Sequence, residues 1–178
     1  MHTKHLLIRP FTVEDAEEYF PLVSHPDVLR YTGESPATSL DDVRQILLTR
    51  PISDYSKYGF GRMACIDKDS GRLIGFSGLK YLPDLNEVDI GYRFLPDFWG
   101  KGYATESAKA IIDQVAPTHK LKRIIGLAYP ENSASIHVLI KLGLNFEKKI
   151  KLEGDSTDLN MYSIKWKSGS PGFKKSDT

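Results

Sequence analysis

Apolar positions recur with a period of two through the middle of the chain and with helical spacing on either side. Phe60 to Asp67, Arg72 to Tyr81 and Glu87 to Leu95 read as three strands, separated by the turn-forming stretches Lys68-Asp69-Ser70-Gly71 and Pro83-Asp84-Leu85-Asn86. Connections this short predict an antiparallel meander. Upstream, His5 to Arg9 is a short strand closed by Pro10, and Thr12 followed by Glu14, Asp15, Glu17 and Glu18 caps a first helix with acidic residues. Pro21, Pro26 and Gly33 interrupt the pattern and predict irregular chain, before Ser39 caps a second helix that Pro51 ends. Downstream, Ala104, Ala108, Ile111, Ile112 and Val115 mark one face of a helix, and Arg123 to Ala128 a strand. A further helix from Asn132 to Leu142 stops at Gly143, and Asn145 to Leu152 and Asn160 to Trp166 are strand-like. From Lys167 onward there is nothing to bury, so one domain over residues 1–166 and a disordered tail over 167–178 are expected.

The 178 residues, 40% apolar and 26% charged, suit one globular domain. Lys and Arg number 24 against 23 Asp and Glu, so the net charge of +1 provides no field for a polyanion, and nucleic acid is not expected as a partner. The lone Cys65, inside Met63-Ala64-Cys65-Ile66, reads as core and not as a nucleophile. No stretch has the length of a signal-peptide core or a membrane span, which predicts a cytoplasmic protein with no membrane partner.

The chemically informative stretch is Asp97-Phe98-Trp99-Gly100-Lys101-Gly102-Tyr103-Ala104, which joins a predicted strand to a predicted helix start. Unpaired amides and partial positive charge at a helix N-terminus attract anions, and glycines let the main chain approach a phosphate. A tight strand-to-helix turn needs glycine without any ligand too, so both readings stand at this point. The triphosphatase loop is excluded because Lys101 precedes the second glycine, and the dinucleotide fingerprint because position 105 is Thr and the preceding strands form a meander.

These residues resemble the phosphate motif of the GNAT superfamily of N-acetyltransferases, [QR]-x-x-G-x-[GA], with Asp97 in place of its first residue. Leu6-Leu7-Ile8-Arg9-Pro10-Phe11, Trp99 to Glu106, and Asn132-Ser133-Ala134-Ser135 with Lys141-Leu142-Gly143-Leu144 are similar to one branch, the ribosomal-protein N-terminal alanine acetyltransferases. The resemblance spans about residues 5–166. It implies an α/β fold, a mixed and mostly antiparallel sheet of about seven strands flanked by about four helices and splayed between strands four and five. Acetyl-coenzyme A would lie in the gap, its pyrophosphate on the amides of Trp99, Gly100, Lys101, Gly102, Tyr103 and Ala104. Phe94 and Leu95 would pair with the pantetheine arm and offer an N–H to the acetyl oxygen, and Asn132 and Ser135 would contact the coenzyme. The implied acceptor is a primary amine on a protein or peptide N-terminus, with a small amine or a non-catalytic coenzyme-binding module as alternatives. A monomer or homodimer is expected.

Acetyl transfer needs a neutral amine, an oxyanion stabiliser and a proton for the departing thiolate. At neutral pH a lysine side chain costs roughly 4 to 5 kcal/mol to deprotonate, an α-amine only about 1 kcal/mol. Glu87 and Asp89 share one face of strand four, with Val88, Ile90 and Tyr92 on the other, and are the candidate bases; as ion-pair partners of Arg93 or a neighbouring strand they would be purely structural. Ser135, three residues after Asn132, is the candidate proton donor, although the same spacing suits a helix cap. His25 and His137 lack metal-ligand company, and no metal is expected. Arg30, Tyr31 and Tyr81 are placed at the acceptor mouth.

Overall fold

The computed structural model describes residues 1–152 and 157–166, so the tail predicted to be disordered lies outside the described residues. Strand β1 (Leu6–Arg9) is followed by α1 (Ala16–Ser24), α2 (Pro26–Leu29), α3 (Leu40–Leu47) and α4 (Ser53–Tyr58). The meander β2 (Arg62–Asp67), β3 (Leu73–Leu82) and β4 (Glu87–Phe94) comes next, then α5 (Tyr103–Thr118), β5 (Arg123–Ala128), α6 (Ser133–Lys141), β6 (Asn145–Ile150) and β7 (Leu159–Lys165). The seven strands form one mixed sheet in the order β1-β2-β3-β4-β5-β7-β6. Every neighbouring pair is antiparallel except β4 and β5, which run parallel and meet at a single register pair, Asp89 with Ile125. Beyond that rung the two strands part.

Register decides which side chains share a face. Lys80 opposite Asp89, Gly78 opposite Gly91 and Phe76 opposite Arg93 lie on the face toward α1 and α3, and Arg62, opposite Gly78, joins them. Leu79 with Ile90, Ser77 with Tyr92 and Gly75 with Phe94 lie on the face toward α5 and α6. Each face has its own core: Tyr19, Leu22, Val43, Leu47 and Phe76 on the first, Cys65, Leu79, Ile90, Ala108, Ile111, Ile112 and Leu139 on the second. Fully burying one such aliphatic side chain contributes about 1.5 to 3 kcal/mol, so the sheet is clamped from both sides and opens only where its ladder ends.

The local signals acted mostly as expected. Ser39 Oγ accepts from the Asp42 N–H at 3.1 Å while the Asp42 carboxylate accepts from the Ser39 N–H at 3.0 Å, a reciprocal cap on α3. Gly143 ends α6 at φ 84°, a left-handed position that favours glycine. The prolines behaved differently. Pro21 sits inside α1 without stopping it, and the segment after it contains the short helix α2. Pro51 does not end the second helix either, because a wide π-type turn over Leu48–Ile52 accommodates the missing N–H and passes the chain into α4. The helices therefore number six among the described residues, two more than expected, with α2 only four residues long. No helix among the described residues is long and apolar enough to cross a membrane.

Candidate active site at the splay between β4 and β5

The end of β4 leads into the glycine turn through a 3-10 turn, Pro96–Phe98. Gly100 and Gly102 have φ 73° and 82°, and a Cβ built on either meets nothing within 4 Å. Their need for glycine is therefore conformational and not steric. The Trp99 N–H bonds the Pro96 carbonyl at 3.0 Å, whereas the N–H groups of Gly100, Lys101 and Gly102 bond no other described residue. In α5 the first backbone bond is Glu106 N–H to the Gly102 carbonyl at 2.9 Å, which leaves the amides of Tyr103, Ala104 and Thr105 without intrahelical acceptors. A run of consecutive main-chain donors at a helix N-terminus fits a diphosphate, and the nearby carboxylate of Glu106 is engaged elsewhere, accepting from the His5 N–H at 2.8 Å. The Lys101 ammonium lies 5.2 Å from the Phe98 ring centroid, over the ring.

The two residues at the end of β4 differ. The Leu95 N–H donates to the Ile74 carbonyl at 2.9 Å and its carbonyl accepts from the Phe98 N–H at 2.9 Å. Leu95 therefore has no amide to offer an acetyl oxygen, which corrects the expectation for that residue. Successive residues of an antiparallel strand direct their amides to opposite sides, so the Phe94 N–H points away from β3 toward the splay. Its carbonyl accepts from the Trp99 indole N–H at 2.7 Å, which fixes a half-exposed ring over the strand end.

Asp89 stands where the strands part. It is 7% exposed, and one carboxylate oxygen accepts from the Leu127 N–H at 3.2 Å, so a side chain serves a β5 amide past the last rung. Burial pushes the carboxyl above the usual carboxylate range, opposed by Arg62, whose Nη2 lies 3.7 Å away, by the Leu127 amide and by Lys80. Glu87 does not join it. Its carboxylate accepts from Arg123 Nε at 2.8 Å, and this pair with β5 is structural, so the expectation of a second base at Glu87 is corrected.

Across the splay, Tyr92 and Ser135 come together. The Tyr92 hydroxyl donates to the Ser135 carbonyl at 2.8 Å and lies 3.1 Å from Ser135 Oγ. Asn132 Oδ1 accepts from the Ser135 N–H at 3.1 Å, so the cap is real and leaves Ser135 Oγ to interact with the phenol. Burial raises the Tyr92 phenol well above its ordinary pKa, which keeps it a neutral donor. Cys65 is fully buried and its thiol is likewise pushed up by burial, so it is core.

The remaining candidates scatter. His25 caps α2, its Nδ1 accepting from the Asp27 N–H at 3.2 Å, and His137 is exposed on α6. Arg30 pairs with Asp27 at 2.6 Å. Tyr31 packs 6.2 Å from the Tyr129 ring, beside the end of β5, whereas Tyr81 stacks on Tyr58 and donates to Asn86 at the opposite end of β4. No group of three or more potential metal ligands occurs among the described residues.

Pattern reading missed a charged cavity on the Asp89 face. A pocket of about 20 Å³ is lined by Glu34, Arg50, Asp54, Arg62, Lys80 and Arg93 among others. Glu34 accepts from Arg93 Nη2 at 2.8 Å and from Arg50 Nη1 at 2.5 Å; burial pushes its carboxyl up, and the arginines outweigh this and hold it below the usual range. Burial lowers the Lys80 ammonium pKa, as does Arg62, and burial raises that of Asp54. The only sequence signal was the period-two placement of Lys80, Asp89 and Arg93 on facing strand positions.

The mixed sheet thus carries, where β4 and β5 part, a donor-rich turn and a buried carboxylate. The family model described as "Acetyltransferase (GNAT) domain" matches residues 5–145, and the chain belongs to this family. The uncharacterized N-acetyltransferase p20 of Bacillus licheniformis is 30% identical over 170 residues, covering 92% of this chain and 94% of p20. The crystal structure of a GNAT-family acetyltransferase from Bacillus anthracis superposes with a TM-score of 0.77 at 28% identity, covering 93% of this chain and 97% of that one. RimL, a ribosomal L7/L12 alpha-N-protein acetyltransferase solved with coenzyme A, shares the fold with a TM-score of 0.78 at 20% identity, covering 92% and 95% of the two chains. The protein is thus a GNAT-family N-acetyltransferase.

Proposed function

We propose that the chain acetylates the α-amine of a protein or peptide N-terminus by direct attack in a ternary complex. The observation that carries this reading is Asp89, a single buried carboxylate at the parting of β4 and β5 whose pKa burial raises above the usual carboxylate range. Deprotonating an α-ammonium at neutral pH costs about 1 kcal/mol, a demand that one modest base meets, directly or through a water. The amides from Gly100 to Ala104 hold the diphosphate of the donor, and the Phe94 N–H faces the developing oxyanion. Ser135, hydrogen-bonded to Tyr92, supplies a proton to the leaving thiolate. The fully buried Cys65 leaves no thiol for a covalent acetyl-enzyme. Sharing its fold with an alpha-N-protein acetyltransferase is compatible with this acceptor.

The test is thiol release from acetyl-coenzyme A against peptide N-termini, polyamines and aminoglycosides, with mass spectrometry locating the acetyl group, on the native enzyme and Ser135→Ala. Acetylation of peptide α-amines, slowed in S135A, is expected. Transfer confined to polyamines or aminoglycosides would replace the terminus with a small amine. Tight coenzyme binding with no release against any acceptor would leave a binding module.

A further inference from the structure

The acceptor side of the site is built around cations, and this says what an acceptor must carry besides its amine. The inference rests on the amine-acetylating reading above and names the chemistry of that acceptor. Four cations line the pocket, Arg50, Arg62, Lys80 and Arg93, against the carboxylates of Glu34 and Asp54, with Asp89 beside them. Glu34 is clasped by two arginines at once, so that trio retains a positive charge. Arg62 has no closer carboxylate than Asp89 at 3.7 Å, and its Nε is buried without a hydrogen-bond partner. The Lys80 ammonium, on the residue opposite Asp89 across the strands, makes no hydrogen bond and no ion pair within 4 Å to any described residue, and Asp54 and Asp89 act on it only from farther away.

The Arg62 guanidinium is held in place. It lies 5.1 Å from the Phe76 ring centroid and flat against Gly91, where an added Cβ would meet Nη2 at 2.8 Å and Nε at 3.0 Å. Glycine at this point of β4 is what lets an arginine lie across the strand next to the base. Two cations, Arg62 and Lys80, therefore keep unspent donor capacity beside Asp89 in a half-buried setting, where charge interactions are several times stronger than in water. A polycationic acceptor would bring more positive charge to them. An acceptor with its own anion supplies the missing partner, and the same cations favour the neutral form of its amine, which is the form that attacks.

We propose that the acceptor is an amine bearing a carboxylate or phosphate close by, the anion engaged by Arg62 and Lys80 and the amine delivered to Asp89. An acidic side chain early in a peptide and a small anionic amine share this chemistry. The experiment compares kcat/KM for Ser-Asp-Ala-Ala amide and Ser-Lys-Ala-Ala amide, and for β-alanine and spermidine, in the native enzyme, Lys80→Gln and Lys80→Glu. Melting temperature and coenzyme A affinity report that each variant is folded. The expected result is at least a tenfold preference for the acidic member of each pair that reacts, reduced below threefold in K80Q and reversed in K80E. Acidic and basic peptides reacting equally would overturn the inference and leave the terminal-amine function standing. Turnover of β-alanine with none of the peptides would keep the inference and remove the terminus as acceptor. Spermidine outpacing every acidic acceptor, or no turnover of any anionic amine, would overturn it.

Discussion

Replacing Asp89 by Asn removes a charge and keeps a hydrogen-bond acceptor, so activity and stability should move apart. The Leu127 N–H, 3.2 Å from the carboxylate, keeps its partner in D89N. The carboxyl is buried, with its folded-state pKa raised above the unfolded value. An acid with a raised folded pKa loses stability as pH climbs from the unfolded pKa through the folded one, and the amide does not titrate. Losing the loose 3.7 Å pair with Arg62 acts in the opposite direction, so D89N should lie within about 1 kcal/mol of native at pH 7.5. Asp89→Ala lacks the acceptor, and an orphaned buried amide costs about 1 to 3 kcal/mol, or roughly 2 to 12 °C in melting temperature for a chain of this size. Catalysis should respond to the charge. General-base assistance is worth about 10² to 10⁴ in rate, so kcat/KM for a peptide N-terminus in D89N should fall at least about a hundredfold at pH 6.5. The deficit should shrink as pH rises through about 8, where roughly half or more of the α-amine is already neutral, and further toward pH 9. Steady-state thiol release from pH 6 to 9, with calorimetric melts on the same samples, reads both quantities. A D89N rate within twofold of native at pH 6.5 would refute Asp89 as base, and D89N melting as low as D89A would refute the separation of its two roles.

Two further outcomes follow from particular contacts. Gly102→Ala forces a side chain onto a residue at φ 82° with open space around its Cβ, so only backbone strain of about 1 to 2 kcal/mol is added; melting should drop by a few degrees and the KM for acetyl-coenzyme A should rise more than that for the acceptor. Asp15 is 7% exposed, receives both Arg9 Nη atoms at 2.6 and 2.8 Å and the Thr12 N–H at 2.8 Å, and is held below the usual carboxylate range because these partners outweigh burial. Its contribution is complete above the unfolded carboxyl pKa and disappears as pH falls through the lower folded one, so Asp15→Asn should cost about 2 kcal/mol at pH 7 and progressively less below about pH 4 in urea titrations.

The strands and the site were legible to different extents. Alternation and turn residues placed β2 to β5 within two residues, because each has a buried face that fixes its register. Gly100 and Gly102 announced the turn because a left-handed position is written in the sequence as glycine. Pro21 and Pro51 misled because neither ended a helical path: Pro21 lies inside α1, and a wide turn takes up the missing N–H at Pro51, outcomes set by packing around α1 and α3. The same alternation put Glu87 and Asp89 on one face and allowed a pair with a neighbouring strand for either, but could not say that Arg123 of β5 would take the first and leave the second at the splay. Tyr92 meeting Ser135, and Arg62 lying across Gly91, join residues 43 and 29 positions apart, and no local pattern encodes where two elements cross.

We propose that the unpaired main-chain amides at the start of α5 hold the donor's diphosphate. Backbone amide ¹⁵N NMR, titrated with coenzyme A and separately with pantetheine, tests it directly. Large shifts of Gly100, Lys101, Gly102, Tyr103 and Ala104 with coenzyme A, absent with the phosphate-free arm, are the predicted result; coenzyme binding that leaves those five resonances in place would contradict it.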